Sequence, residues 1–187
     1  MKLPFLLIPC LLLPWALAQS SLDSAGAAGD VAMSPLTANG TLNQIGTVYC
    51  ENPGKKLFTF GSLRAFGSTV AAANDVLLVA EGLPFNAMGY FLIGETQDFV
   101  PNPGNNLGDL CLGGKLGRLH RADQVFNTGS GSMASLQLDL TDFPMNPSQM
   151  VMAGETWCFQ GWYQFIPGAA QPGLVSTFTE AVQITFQ

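Results

Sequence analysis

His120 is the only histidine in the 187 residues, and it sits in the run Arg118-Leu119-His120-Arg121. A Ser–His–Asp hydrolase would need it as general base. No Gly-x-Ser-x-Gly elbow accompanies it, and Leu119 alternating with charged neighbours reads as an exposed strand. One imidazole also excludes a metal centre built on several histidines. Two acid pairs, Asp139/Asp142 and Glu95/Asp98, have the residue types of a glycosidase. Acids beside Thr, Asn and Pro at strand ends are, however, the usual solvated residues of turns. Asn102, Asn105, Asn106 and Asp109 lie in one loop whose oxygens could reach a calcium ion. That loop holds a single acid, and its Asn/Gly content is what tight turns require. No P-loop, dinucleotide fingerprint, Cys-x-x-Cys pair or His-rich spacing is present. The sequence therefore assigns no catalytic residue, no metal and no cofactor, and the expectation is a protein that is not an enzyme.

The residue types that remain are suited to binding. Trp157, Phe159, Tyr163 and Phe165 share parity along one strand, with Gly161 completing the stripe, so they belong to a core face. Trp162 has the opposite parity and is the ring available on the outer face. An aromatic ring stacks on the apolar face of a sugar, while amides hydrogen-bond its hydroxyls. Trp162, Asn102, Asn105 and Asn106 are accordingly the candidate ligand-binding residues. Lys115, Arg118 and Arg121 form a local cationic cluster that could meet a sulfate or carboxylate on a polysaccharide. The reading the sequence favours for them is an edge strand protected by charge.

Four cysteines are present. Cys10 falls in the leading apolar segment, which leaves Cys50, Cys111 and Cys158 and three possible pairings. A Cys50–Cys111 bridge would close a loop of about 60 residues, for which chain entropy gives about 4 kcal/mol. Cys158 lies in the densest aromatic strand, where a thiol serves as a small buried hydrophobe. A reactive thiol there would lack a base nearby in sequence.

The elements that must position these residues are strands. Hydrophobic residues make up 48% and charged residues 11%, which excludes a disordered chain. A formal net charge of −6 argues against a nucleic-acid partner. Residues 1–18 combine Lys2, an apolar stretch and the exit Ala16-Leu17-Ala18, the pattern of a secretory signal peptide. The stretch is shorter than the ~20 residues a spanning helix wants, and it is broken by Pro4, Pro9 and Pro14. Residues 19–45 are rich in Ser, Ala, Gly, Asp and Thr and read as a flexible leader carrying a sequon at Asn39. From Gly46 onward, short apolar runs alternate with turn residues. Ala134, Leu136, Leu138 and Leu140 keep a period of two, as do Val182, Ile184 and Phe186. Runs at 76–80 and 88–93 are continuous, and 57–66 is a further strand region interrupted at Gly61. Reversals are expected at Asn74-Asp75, Leu83-Pro84, 101–104, Gly113-Gly114, 129–131 and Asn146-Pro147. No window carries a helical stripe. The expectation is a single all-β domain at 46–187, an antiparallel β-sandwich of jelly-roll or Ig-like type.

At these residues the chain resembles a known family. The ordered set is Tyr49-Cys50, Gly89-Tyr90-Phe91-Leu92, the run from Gln97 to Gly104, Leu110-Cys111-Leu112-Gly113-Gly114, Leu138-Asp139-Leu140-Thr141, Gly154-Glu155-Thr156-Trp157, Phe159-Gln160, Trp162-Tyr163 and the closing Val182-Gln183-Ile184-Thr185-Phe186. It is similar to the uncharacterised secreted β-rich domain abundant in planctomycetes and related environmental bacteria, over about residues 47–186. The resemblance implies a bacterial, exported β-sandwich and no activity. It also implies that Cys50 pairs with Cys111, leaving Cys158 free. The family's Trp-Tyr-Arg-Asp stretch stands here as Trp162-Tyr163-Gln164-Phe165, and its Phe-Thr-Asp as Phe178-Thr179-Glu180, so roles built on that Arg and Asp do not carry over.

Together these readings predict a non-catalytic binding or adhesion module, secreted or held in the cell envelope. Its partner would be an extracellular polysaccharide or a cell-surface protein, with no nucleic acid and no membrane span in the mature chain. A structural envelope component without a specific ligand is the second expectation, and a secreted hydrolase the third.

Overall fold

Period-two alternation dictates the architecture. In the computed structural model, which describes residues 43–50, 61–167 and 173–187, ten strands follow one another. They are β1 (Gln44–Ile45), β2 (Thr47–Tyr49), β3 (Ser62–Gly67), β4 (Val76–Glu81), β5 (Met88–Val100), β6 (Leu110–Leu119), β7 (Phe126–Asn127), β8 (Met133–Gln137), β9 (Thr156–Phe165) and β10 (Val175–Thr185). The signal peptide expected at 1–18, the sequon at Asn39 and residues 19–42 of the expected leader lie outside the described residues. So do 57–60 of the expected strand region, whose remainder forms β3. Pairing begins at Gln44, just ahead of the expected domain start, because Ile45 is apolar enough to be buried in the core.

The strands form two antiparallel sheets, one ordered β1-β3-β4-β8 and the other β2-β10-β9-β5-β6, with β7 pairing the start of β5. They pack face to face as a single-domain all-β sandwich, as the sequence predicts. The only helical elements among the described residues are two short 3-10 turns, Ala71–Ala73 and Pro103–Asn105. Asn74, at φ 47°, ends the first of them, where an Asn tolerates the left-handed region.

The inner faces are those the parity predicted. Trp157, Phe159, Tyr163 and Phe165 from β9 meet Leu63, Leu78, Phe91, Ile93 and Ile184 in one buried cluster. Leu138 and Leu140, beyond the end of β8, join the same cluster, as does Phe186 after β10. The Tyr163 hydroxyl is not orphaned there, because it accepts the Gly61 N–H at 3.2 Å.

The long β5–β6 hairpin departs from the expectation. Gly113-Gly114, expected as a reversal, lies inside β6 as part of a bulge. Gly94 pairs with Leu116 and Thr96 with Gly113, so Gly114 and Lys115 stand opposite Glu95 alone. Gly114 takes φ +70°, the left-handed conformation such a bulge asks of its glycine. The hairpin turns at residues 101–109, where the expected reversal at 101–104 lies, and β5 runs on to Val100 rather than stopping near Ile93. A bulge bends its strand, and the distal half of the hairpin folds back over the outer face of the six-stranded sheet as an arm.

Several ties hold the arm down. Gln160 of β9 accepts the Cys111 N–H at 2.9 Å and donates to the Asp109 carbonyl at 3.0 Å. The Leu107 N–H reaches the Ser176 carbonyl of β10 at 2.8 Å. Leu112 packs with Leu92, Cys158 and Phe178 in a second apolar cluster outside the sandwich. Finally, Cys50 is bridged to Cys111 with a Cα–Cα distance of 6.1 Å, while Cys158 is free and buried.

Candidate functional site

The outer face of the six-stranded sheet carries a row of rings that crosses four strands. Phe178 of β10 stands opposite Trp162 of β9, and Trp162 stands opposite Tyr90 of β5. Phe91 pairs with Leu119, which brings Tyr90 beside His120 just past the end of β6. The Tyr90 and Trp162 ring centroids are 5.0 Å apart, and those of Tyr90 and His120 are 6.2 Å apart. Cross-strand aromatic pairs of this kind stabilise a sheet, and here they also make an apolar surface.

An open groove of about 570 Å³ lies over this row. The arm contributes one wall through Pro103, Gly104, Asn106 and Leu110. Leu92, Leu116 and Arg118 extend the sheet side, and Pro144 closes the edge. Trp162 is half-buried, and its indole N–H donates to the Asn106 side-chain oxygen at 3.0 Å. The Asn106 amide nitrogen in turn donates to the Pro103 carbonyl. Asn106 thus fixes the Trp162 ring, with both ends of its amide already engaged.

The ionisable lining is one-sided. Arg118 and His120 are exposed in the groove, and among the described residues no carboxylate lines it. The His120 Nδ1 meets the Arg118 carbonyl at 2.9 Å. Arg64 pairs with Glu180 at 2.7 Å and Arg121 with Asp142 at 2.6 Å, whereas Arg118 has no carboxylate partner among the described residues.

The four candidate binding residues are therefore distributed unequally. Trp162 and Asn106 come together in the groove. Asn102 is exposed at the entry to the second 3-10 turn, at φ 44°, and its N–H donates to Asp109 Oδ1 at 3.2 Å. Asn105 ends that turn. The sequence pattern does not bring Tyr90, Arg118 and Leu116 together as a site. The signal for Tyr90 was its parity opposite Phe91, but its partner on β9 is set by a register no local pattern reveals.

The Asp139/Asp142 pair has the electrostatics of turn residues. Asp139 accepts the Thr141 hydroxyl at 2.6 Å, the Thr141 N–H at 3.0 Å and the Asn74 amide at 3.4 Å. Thr141 is the main cause holding the Asp139 carboxyl below its ordinary value. Asp142 is held low first by the Ser148 hydroxyl and then by Arg121. A glycosidase general acid needs a raised value, the opposite of both. Glu95 and Asp98 lie within β5 rather than at a strand end, because the strand runs on to Val100; Glu95 accepts the Lys115 N–H at 3.0 Å, and Asp98 accepts the Phe99 N–H at 2.8 Å.

Cys158 is equally unsuited to nucleophilic attack. Burial pushes its thiol up, and the Gln183 amide donates to its sulfur at 3.7 Å. The neighbouring Tyr49 hydroxyl donates to the Cys111 carbonyl at 2.9 Å and is itself shifted upward, mainly by burial. In the calcium-candidate loop, the Asp109 side chain is buried. Among the described residues no group of three His, Cys, Asp or Glu stands close enough to share a metal ion, and no helix is long and apolar enough to cross a membrane.

No protein family, curated protein or solved structure matches the chain.

Proposed function

We propose that this protein is a non-catalytic extracellular binding module whose outer-face groove takes a glycan or another envelope polymer. The observation that carries the reading is the Trp162 ring, held by Asn106 beside Tyr90 in an open groove. A pre-set ring costs less to order on binding than a free one, and the adjacent Tyr90 and Trp162 rings, tilted 37° to each other, offer aromatic surface on which a pyranose can stack. The Cys50–Cys111 bridge fits an oxidising compartment, in keeping with a secreted or envelope location. The non-catalytic part is supported by the lowered Asp139 and Asp142 carboxyls and the raised, buried Cys158 thiol. We place the chain with the planctomycete-type secreted domains on the ordered residues quoted above.

The test is a glycan array or polysaccharide pull-down with the exported chain. Trp162→Ala is expected to weaken binding at least tenfold, about 1.4 kcal/mol, with an unchanged circular-dichroism spectrum. If no glycan binds, or binding ignores Trp162→Ala, the structural envelope component becomes the better reading.

A further inference from the structure

We infer that the ligand of this groove is an acidic sugar, with Arg118 as the anchor for its carboxylate. The inference rests on the glycan reading of the groove and adds the charge of the ligand. The chain as a whole is acidic, at net −6, yet among the described residues the groove is lined by an arginine and a histidine and by no carboxylate. Arg121, from the same cationic cluster, is consumed by Asp142, and Arg64 by Glu180. Arg118 is exposed and has no carboxylate partner among the described residues, so its charge is available.

The sheet register explains why the guanidinium belongs to the groove rather than only to an edge strand. Leu92 pairs with Arg118, and Leu116 lies two residues away on the same face of β6. Aliphatic neighbours support an arginine's stem while its head stays in water. Tyr90 falls beside His120, which makes Arg118 its diagonal neighbour, about 7–8 Å away between backbones. A ring stacked on Tyr90 and Trp162 would carry a carboxylate to the Arg118 fork, whose planar donors match it in a bidentate pair. A lysine in the same place would supply charge without the fork.

The exported chain is titrated with polygalacturonate, alginate and hyaluronate, with the fully methyl-esterified form of polygalacturonate, and with dextran sulfate. At least one of the three uronate polymers is expected to bind, and esterification is expected to weaken polygalacturonate binding at least tenfold if that polymer is the one bound. Arg118→Gln should lower uronate affinity at least tenfold while leaving the melting temperature unchanged, and Arg118→Lys should fall between. Neutral-glycan binding that depends on Trp162 but not on Arg118, with no preference for uronates, overturns the acidic ligand and leaves the glycan reading standing. Dextran sulfate binding as tightly as the uronates, with the same Arg118 dependence, overturns the carboxylate in favour of a sulfate. Failure of every glycan, acidic or neutral, overturns both readings together.

Discussion

Gln160 is fully buried on the outer face of β9, yet each of its polar atoms is used. Its Oε1 accepts the Cys111 N–H, and its Nε2 donates to the Asp109 and Thr179 carbonyls at 3.0 and 2.9 Å. Gln160→Leu keeps a comparable volume but strands three backbone groups. An unsatisfied buried group costs about 1–3 kcal/mol, and partial hydration on loosening of the arm moderates the sum, so a loss of about 2–4 kcal/mol in urea denaturation is expected. Cys158 lies two residues away and illustrates the other use of a buried position. Its thiol should stay unreactive toward a thiol reagent in the native protein and react only at the rate of unfolding; rapid native-state labelling would contradict the inert assignment. Parity along β9 identified Trp162 as outward-facing and the stripe from Trp157 to Phe165 as core, because alternation is a local property of one strand. It could not show that Asn106 holds the indole. That contact joins a loop residue of the arm to a strand residue 56 positions away and depends on where the arm lands.

At the scale of elements, the arm is where local reading and structure part. Two adjacent glycines signal a turn by propensity, but here they permit a bulge within a strand, and the choice is made by what the hairpin packs on. Gly94 shows this. A Cβ there would lie 2.9 Å from the Leu112 Cβ and 3.1 Å from the Gly113 carbonyl oxygen. Leu112 can therefore sit over β5 only because position 94 has no side chain. Gly94→Ala is expected to cost about 1–3 kcal/mol and Gly94→Val more, with faster amide exchange through residues 107–112 than through β4. The turn holding Asp139 and Asp142 makes a separate expectation. Both carboxyls are depressed in the fold, so their contribution is present above the ordinary value of 3.8 and is lost as pH falls through the lower folded values. The melting temperature should drop on acidification below about pH 4, and Asp139→Asn with Asp142→Asn should flatten that limb of the profile. A double variant with an unaltered acid limb would show that other carboxylates set it.

For the whole molecule, the fold divides its apolar residues between two places. The larger cluster lies between the sheets and joins them, while the smaller one lies outside, under the arm. The sandwich was legible because its alternating strands carry their own pattern. The outer cluster was not, because Leu112, Cys158 and Phe178 belong to three strands whose neighbourhood only the finished topology creates. This division has a consequence for function. The disulfide ties the arm, at Cys111, to the end of β2, and the arm supplies the groove wall with Pro103, Gly104, Asn106 and Leu110. The bridge spans a sequence separation of 61, for which loop entropy gives about 4 kcal/mol. The large inter-sheet core does not depend on the bridge for its contacts, whereas the arm loses its one covalent tie when the bridge opens. Cys50→Ser with Cys111→Ser is therefore expected to lower stability by about 2–4 kcal/mol and to raise amide exchange first in residues 101–112. Ligand affinity should fall along with it, because Asn106 would no longer hold Trp162 in place. Tryptophan fluorescence separates the two levels: Trp157, buried in the core, should keep its native emission, while the half-buried Trp162 shifts toward that of a solvated ring. Simultaneous loss of β4 and arm protection in the double variant would show instead that sandwich and arm are one cooperative unit.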